Sequence, residues 1–519
     1  MEIIDTTYAF ALPTPQTELS ELCDEVRLLA EKEPVILDKI WEDQERHAKA
    51  QKKIRLETRN WEENQITPLP GLELSESHEV KEEELTLEKG RSRMSPFLVF
   101  LFFILRGYLK GIKSQKSSVL LNESMTIHSI LEKHGCKMPG SSTIVENINA
   151  VSIETRKFVL DAQLRLVIEE KLDDFKWLGI DSTSVSANSS WPTDSWILSG
   201  LTRRLWSRGQ SLEKFGLPKI AERRFPNIVK EMSVLHKSIS LNCGKRNSKK
   251  KIKKFYRQLL KEARIACAAF EEEMVAVNQA VQSANLQPVK KYQLLRLVEW
   301  MNEDLESLKK VIGYCTERIE HDKVAKSKDK ILSLSDKDAA FIKKGDREPV
   351  IGYKPQVGRS KNGLVTSVIV PKGNAADSGQ LVNMVDEHIG RTGVTPDIVT
   401  TDDGYASKEA KNTLENIKKV KVVSINGSKG KKITLEEDWK SDIFQDARNS
   451  RSSVESLIYT LKYKVYFGAV MRRGIENVRA ELLEDVLAYN FCRISVLRKK
   501  KASPKKPPQK TRASLPDAA

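Results

Sequence analysis

The chain has 519 residues, with 87 Lys or Arg against 71 Asp or Glu, and a formal net charge of +16. That length predicts two to four domains with ample hydrophobic core, and it argues against a short peptide or a disulfide-stapled mini-protein. The excess of basic over acidic residues favours a polyanionic partner, with nucleic acid as the first candidate. A basic protein without such a partner is the open alternative.

The cysteines and the apolar runs define the expected compartment. Six cysteines are scattered without a Cys-x-x-Cys pair, so the sequence predicts neither a zinc site nor a disulfide framework, and it fits a reducing compartment. The N-terminus shows no signal-peptide pattern. The most apolar run, residues 97–105, is far shorter than the roughly 20 residues of a membrane helix, and we expect it to form a buried helix. The expectation is a cytoplasmic protein without a membrane partner.

The N-terminal third is predicted to be all-α. Residues 1–94 are expected to form a helical accessory region with an acidic linker, and residues 95–172 a helical domain. In this domain a helix ends at Gly135, and a Gly/Pro turn leads to a second helix that Thr143 and Glu146 open with capping-box spacing. Helix, turn, helix is the outline of a DNA reader, but any helical hairpin has it, so both interpretations remain open.

The stretch 174–187 predicts a buried strand with Asp181 at its far end. An ionised carboxylate at the end of an apolar strand is costly unless it is paired, hydrogen-bonded or bound to a metal. Asp181 is therefore a candidate site residue. The alternative is an aspartate that only caps a turn.

A large all-α insertion is predicted for residues 201–345. Apolar residues recur at helical spacing over 252–281 and again over 294–315, and the linker 283–288 joins the two runs. This pattern predicts an antiparallel hairpin with coiled-coil-like packing. Its first arm begins with a cationic run that includes Lys250, Lys251 and Lys254. This run is either a phosphate-backbone contact or a solvated helix end.

Beyond about residue 346 the hydrophobic period changes from 3.6 to 2. Residues 348–358 and 362–373 are predicted as two adjacent strands; helices and strands then alternate, and one strand ends at Asp402. The last helix is expected to be amphipathic over 476–497. The basic tail, 497–519, is expected to be disordered.

The stretch Asn449–Tyr466 is predicted as a helix with Arg451, Glu455 and Lys462 on one face. By itself this face is either an ion ladder or the wall of a phosphate-handling site. Without the insertion, the order of elements is that of a ribonuclease-H-like domain, with acids on its first and fourth strands and on a later helix. Phosphodiester cleavage needs an activated nucleophile and a stabilised leaving oxygen, and two hard cations held by carboxylates supply both.

Three motifs resemble those of bacterial insertion-sequence transposases of the DDE type. They are WLGIDSTSVSANSSWPTDS, TTDDGYAS and RSSVESLIYTLKYKVYFG. The third has the family's Arg-x3-Glu-x6-Lys spacing, and RRG (472–474) and AYN (488–490) follow it. The second has the family's Asp-x-Gly-Tyr, which selects Asp402 over Asp403. Arg448 replaces the signature's tyrosine, which relatives associate with a hairpin intermediate, so a hairpin route is not implied.

The resemblance implies an α/β ribonuclease-H-like mixed sheet over 173–200 and 346–496, interrupted by the all-α insertion and preceded by the all-α N-terminal region. It implies catalysis and metal binding by Asp181, Asp402 and Glu455, with two Mg²⁺ ions for which Mn²⁺ can substitute. The expected DNA contacts are Arg451, Lys462, Lys354, Arg448, Lys250, Lys251 and Lys254.

The function implied by the resemblance is DNA transposition. The protein would bind element ends, cleave a strand and join the freed 3′-hydroxyl to target DNA, as a homodimer on double-stranded DNA in the bacterial nucleoid. A metal-dependent nuclease, an inactive DNA-binding descendant and a nucleic-acid-coating scaffold remain alternatives.

Overall fold

The computed structural model describes residues 17–64, 93–110, 121, 123–220, 225–345 and 348–502. The expected acidic linker and most of the basic tail lie outside these residues. In the described part of the chain, the helices before the first strand are α1 Glu18–Lys32, α2 Val35–Asn64, α3 Pro96–Tyr108, α4 Met125–Lys133, α5 Ser141–Ala150 and α6 Ile153–Glu169. The apolar run 97–105 is buried in α3, as predicted.

The helix–turn–helix outline is present in α4 and α5, but the predicted capping box is wrong. Helix α5 begins at Ser141 with Gly140 at its N-cap, and no side chain caps it. The helix starts before Thr143, so Thr143 and Glu146 lie inside the helix instead of at its boundary. Whether this pair reads DNA remains a prediction.

A five-stranded mixed sheet is built from strands that lie between residues 177 and 425. Its strands are β1 Trp177–Ser182, β5 Gln356–Ser360, β6 Val365–Ile369, β7 Ile398–Thr401 and β8 Val422–Ile425. The order is β6-β5-β1-β7-β8. Strand β1 is antiparallel to β5 and parallel to β7, while β7 is parallel to β8. This topology is compatible with a ribonuclease-H-like transposase domain.

A small second sheet stands between the central sheet and the insertion. It consists of β2 Val185–Ser186, β4 Val350–Tyr353 and β3 Ala340–Ile342. The single strand predicted over 348–358 is therefore two strands in different sheets. The break falls at Lys354 and Pro355, and proline has no amide hydrogen to donate to a strand ladder.

Between β2 and β3 the described α-helices are α7 Asp194–Ser211, α8 Phe225–Asn242, α9 Lys249–Ser283 and α10 Pro288–His321. Helices α9 and α10 form the expected hairpin, and Pro288 occupies the first turn of α10, where its missing N–H costs nothing. The four helices share a hydrophobic core of their own. The buried Asp304 of α10 pairs with Arg204 and Arg208 of α7, which fixes the hairpin to the helix that leaves the small sheet.

After β6 come α11 Leu381–Thr392, α12 Lys408–Asn412, α13 Ser428–Lys432, α14 Glu436–Lys440, α15 Asp442–Ser450, α16 Ser452–Lys464 and α17 Ile475–Ala502. Strands β7 and β8 precede α12 and α13 respectively. None of the helices in the described part of the chain has the length and apolarity required to cross a lipid bilayer. All six cysteines are free.

Helix α17 is not amphipathic, contrary to the prediction. Its acids Glu481, Glu484 and Asp485 and its Asn490 are all buried. Helices α1, α3 and α6 pack against it, and so does β6. Asn490 donates to the carbonyl of Val365 and accepts from its amide, which makes it a hydrogen-bonded core residue beside the edge strand of the sheet. The helix continues to Ala502, so the first residues of the expected disordered tail are helical.

Buried charge on α17 is balanced by cations from three other segments. Glu484 pairs with Arg106 of α3 at 2.6 Å, with Arg156 of α6 at 2.7 Å and with Arg472 of the preceding loop at 2.7 Å. Burial raises the pKa of Glu484, but the three guanidinium groups outweigh it and hold the pKa at about 2. Lys110 pairs in the same way with Glu481 and Asp485.

We expect Glu484→Ala to lower the free energy of unfolding by about 3–5 kcal/mol, because it leaves buried guanidinium groups without a counter-charge. Since the folded-state pKa lies below the ordinary value, the stabilisation is present above pH about 4.3 and is lost as the pH falls towards 2. Urea unfolding across this pH range measures both effects. The control is Glu476→Ala on the exposed first turn of the same helix, for which a change within about 0.5 kcal/mol is expected.

Candidate active site

The structure brings Asp181 and Asp402 side by side. In the parallel pair β1–β7, Gly179 lies opposite Thr400, so Asp181 and Asp402, each two residues further on, occupy the same row. Neighbouring strands lie about 4.8 Å apart, and side chains two residues apart point to the same face. Asp402 keeps an extended backbone (φ −83°, ψ 176°), which continues the strand direction. Two carboxylates therefore share the carboxyl-terminal edge of the sheet.

Asp181 is buried and has two contacts to one of its oxygens. Its Oδ1 accepts from the amide of Ser182 at 2.7 Å and from the Lys344 ammonium at 3.1 Å. Lys344 follows β3, at the point where the chain returns from the insertion, and it also donates to the carbonyl of Ser182. Sequence reasoning missed Lys344, because no local pattern shows that β3 brings the chain back beside β1.

Asp402 carries a carboxyl group whose pKa is raised above its ordinary value by burial and by the neighbouring charge of Asp181. Lys344 and the amide of Gly404 counteract these effects in part. The adjacent Asp403 has a different role, since its carboxylate accepts from the amides of Lys429 and Gly430 at the start of α13. The structure thus makes Asp403 a capping residue and leaves Asp402 facing Asp181.

A series of buried hydrogen bonds fixes the loop that follows Asp402. Tyr405, of the Asp-x-Gly-Tyr motif, donates to Gln356, and Gln356 donates to Asp377 at 2.8 Å. A Cβ at Gly404 would lie 3.0 Å from the Asp402 carboxylate and 3.2 Å from that of Asp377, so glycine fits between them. Lys354 pairs with Asp377 at 2.8 Å, and its side chain is 11% exposed. Lys354 therefore fixes Asp377 in this structure, and its contact with DNA stays a prediction.

The Glu455 helix is seated on the same face of β1 as Asp181. A Cβ at Gly179 would lie 2.4 Å from Cγ2 of Val454, so α16 approaches this strand more closely than any residue other than glycine would permit. Gly179 and Asp181 point to the same face because they are two residues apart. Glu455 follows Val454 and therefore lies on the turn of α16 that contacts β1.

The Glu455 side chain itself does not join the two aspartates. It is 57% exposed and accepts from Arg451 at 2.7 Å. Among the described residues, no three His, Cys, Asp or Glu side chains are grouped so that they could hold a metal ion. The expected gathering of three carboxylates is therefore realised for Asp181 and Asp402 only. Arg451 is the residue between α15 and α16, so the single helix predicted over 449–466 is two helices.

The other predicted DNA contacts lie on α15 and α16 beside the candidate site, and at the start of α9. Arg448 stacks over the ring of Trp439, with 4.5 Å between the guanidinium carbon and the ring centroid, which gives it a packing role. Lys462 is half-buried beside Gly468, on the Glu455 helix.

Lys250, Lys251 and Lys254 are exposed on the first turns of α9, and no described acid forms an ion pair with them. Lys253 between them pairs with Asp322 at the end of α10. The base of the hairpin therefore carries uncompensated positive charge.

One of three comparisons with known proteins found a match. The family model described as transposase DDE domain matches residues 321–491. This part of the chain is similar to the transposase DDE domain. The match covers about a third of the chain and includes Asp402, Glu455 and Lys344, while Asp181 lies before it. Nothing matches the chain among curated proteins or solved structures. The resemblance to insertion-sequence transposases is thereby confirmed.

The residues present fit a divalent cation of the kind on which DDE transposases generally depend. Carboxylate oxygens are the donors that Mg²⁺ and Mn²⁺ prefer. The raised pKa of Asp402 reflects burial first and the neighbouring charge of Asp181 second, and Lys344 compensates for them only in part, so an added cation here would relieve the repulsion between the two carboxylates. Asp181 and Asp402 would hold such an ion.

We expect Lys344→Met to lower the melting temperature by about 2–5 °C in chelator-containing buffer, because two adjacent carboxylates then lose their counter-charge. Millimolar MgCl₂ should restore most of the loss, so the variant should gain more from the metal than the unmodified protein does. Thermal unfolding with and without MgCl₂ measures this difference. The neighbouring exposed Lys343→Met is the control, and an equal response of the two variants would contradict the assignment.

Proposed function

We propose that this protein is the transposase of an insertion sequence. It binds element ends, cleaves a strand at each end, and joins the freed 3′-hydroxyl to target DNA. The observation that carries the proposal is the row of Asp181 and Asp402 on neighbouring parallel strands, with the Glu455 helix seated on the same face. The transposase DDE domain over 321–491 supports the same reaction class.

In this proposal the acids hold two Mg²⁺ ions, for which Mn²⁺ can substitute. Bound there, the ions supply an activated nucleophile and a stabilised leaving oxygen. Asp181 and Asp402 are already adjacent, while Glu455 has to turn away from Arg451. That turn costs little, since an exposed pair spaced by four residues on a helix is worth about 0.3–0.5 kcal/mol.

Arg451 then has a second role. When Glu455 leaves it, its guanidinium is available to a DNA phosphate one helical turn from the acid, and Lys462 lies on the same face. When DNA binds, the ion pair between Arg451 and Glu455 would thus be replaced by a contact between Arg451 and a DNA phosphate. The base of the hairpin, with Lys250, Lys251 and Lys254, would hold the flanking duplex. Two ends must be brought together, so a homodimer on DNA is part of the proposal.

The adjacent pair Asp402 and Asp403 allows a matched test of catalysis. We expect Asp402→Asn to reduce Mg²⁺-dependent cleavage of an element-end duplex by at least about 10³-fold, because a carboxylate that holds the metal is lost. Asp403→Asn should retain most of the activity, because an asparagine can still accept from the α13 amides. Gel assays of strand cleavage with radiolabelled ends, at equal DNA affinity, give the comparison.

Equal loss in both variants, with folding intact, would count against the assignment of Asp402. The same assay separates the alternatives to transposition. Cleavage without joining to a target plasmid favours a nuclease, and binding without cleavage favours an inactive descendant.

The lysines at the base of the hairpin can be tested through salt dependence. We expect Lys250→Ala, Lys251→Ala and Lys254→Ala combined to flatten the slope of log affinity against log salt by up to about 2.7, because each phosphate contact contributes about 0.9. Anisotropy titrations on duplex DNA measure the slope. Lys290→Ala with Lys291→Ala serves as the control, because these exposed lysines lie beyond the far end of α9, about 50 Å away. An unchanged slope in the triple variant would place the DNA elsewhere.

A further inference from the structure

Two exposed tyrosines continue the face of the Glu455 helix. Tyr459 and Tyr463 follow Glu455 at intervals of four residues, so the three side chains form a row along α16. Tyr459 is 61% exposed and Tyr463 is 74% exposed. By contrast, Tyr353 and Tyr405, on and beside the sheet, are almost fully enclosed. Large aromatic rings this exposed leave apolar area in water and mark an interaction surface when they are grouped.

The two rings are held together as a pair. Their centroids are 4.3 Å apart and their planes are inclined by 35°. A hydrogen bond between the two hydroxyl-bearing side chains raises the pKa of Tyr459. The opposite side of the helix is fixed to the core by Val454, Leu457 and Leu461, so the tyrosines stand on a rigid element. We refer to Tyr459 and Tyr463 as the tyrosine pair.

The charge around the tyrosine pair suits a nucleic acid strand. Arg451 begins the same row, and Lys462 lies between the two tyrosines in sequence and on the Arg451 side of the helix. Flat exposed rings beside cations are the arrangement with which proteins bind unpaired bases, since every base has a face to stack on. In a duplex the base faces are covered by their neighbours, so the rings could not stack on paired DNA.

We propose that the tyrosine pair stacks an unpaired nucleobase of the DNA strand that is cut. This inference rests on the proposed function, because Glu455 marks where that strand reacts. Along the helix axis Tyr459 lies about 6 Å and Tyr463 about 12 Å from Glu455. At about 3.4 Å per nucleotide, the stacked base is within about four nucleotides of the reacting phosphate.

The test compares two DNAs that differ only in pairing. One is a blunt duplex of the element end, and the other carries four unpaired nucleotides next to the cleavage position, with 2-aminopurine at one of them. All proteins carry Asp402→Asn and the buffer contains chelator, so the measurement does not depend on cleavage. Fluorescence quenching reports stacking and anisotropy reports affinity.

We expect Tyr459→Ala with Tyr463→Ala to weaken binding of the unpaired DNA about 5- to 150-fold and to abolish quenching, because stacking is worth about 1–3 kcal/mol per base. Binding of the blunt duplex should change less than about twofold. Tyr459→Phe with Tyr463→Phe should keep both quenching and affinity, since the rings remain. Tyr292→Ala, an equally exposed tyrosine on α10, controls for the general loss of surface tyrosine.

Three outcomes would overturn the inference. Equal loss on both DNAs would indicate a general backbone contact, and loss in the Phe variant would indicate a role for the hydroxyls. Dissociation of a dimer in the Ala variant without any change in DNA binding, seen by light scattering, would assign the tyrosine pair to protein association. Failure of the proposed function appears separately, as equal cleavage by the Asp402→Asn and Asp403→Asn proteins.

Discussion

The enclosure of α17 is the constraint on which the rest of the structure depends. A helix with three acids and an asparagine on buried sides can pack only if each polar group finds a partner. Glu484 forms ion pairs with Arg106 of α3, Arg156 of α6 and Arg472 of the loop before α17. On the other side, Asn490 bonds to Val365 of β6. The N-terminal helices and the sheet are thus attached to opposite sides of one element, and the sheet edge that carries the aspartates is fixed relative to both.

The helical segment between β2 and β3 is joined to this core beside Asp181. It leaves through β2 and returns through β3, and these strands flank β4 in one small sheet. Lys344 is positioned by that return, because it follows β3 directly and contacts Asp181. A change in the position of the hairpin would therefore move the cation beside the aspartates. The small sheet also contacts the loop after the Glu455 helix, through the bridge between Ser186 and Ala469. The small sheet therefore connects the hairpin both to Asp181 and to the loop that follows the Glu455 helix.

The sequence predicted the local elements better than the long-range contacts. The strands that carry Asp181 and Asp402, the hairpin and the buried run in α3 follow from periodicity, which depends on neighbouring residues. Some failures involve partners far away in the sequence, whereas the capping box of α5 and the continuous elements predicted over 348–358 and 449–466 were wrong for local reasons. The amphipathic prediction for α17 missed acids whose cations lie more than 300 residues away, as Arg156 does from Glu484. The contacts of Lys354 with Asp377 and of Arg448 with Trp439 were not predicted, while their contacts with DNA stay predictions. Lys344 shows the same limit, since only tertiary structure brings it to Asp181.

Two groups of buried acids show how structural and functional carboxylates differ in this protein. Glu484 is surrounded by three permanent cations, and its pKa falls to about 2, so it remains ionised and adds stability. Asp402 shares one lysine with Asp181, and its pKa is raised, so its ionised form costs stability near neutral pH. A raised pKa does not by itself distinguish Asp402, because burial also raises the pKa of Asp485 on α17 to about 8 despite its pairing with Lys110. Asp402 differs in its position, since it is only partly buried and lies beside Asp181, where a metal ion would supply the missing positive charge, whereas Asp485 is fully enclosed.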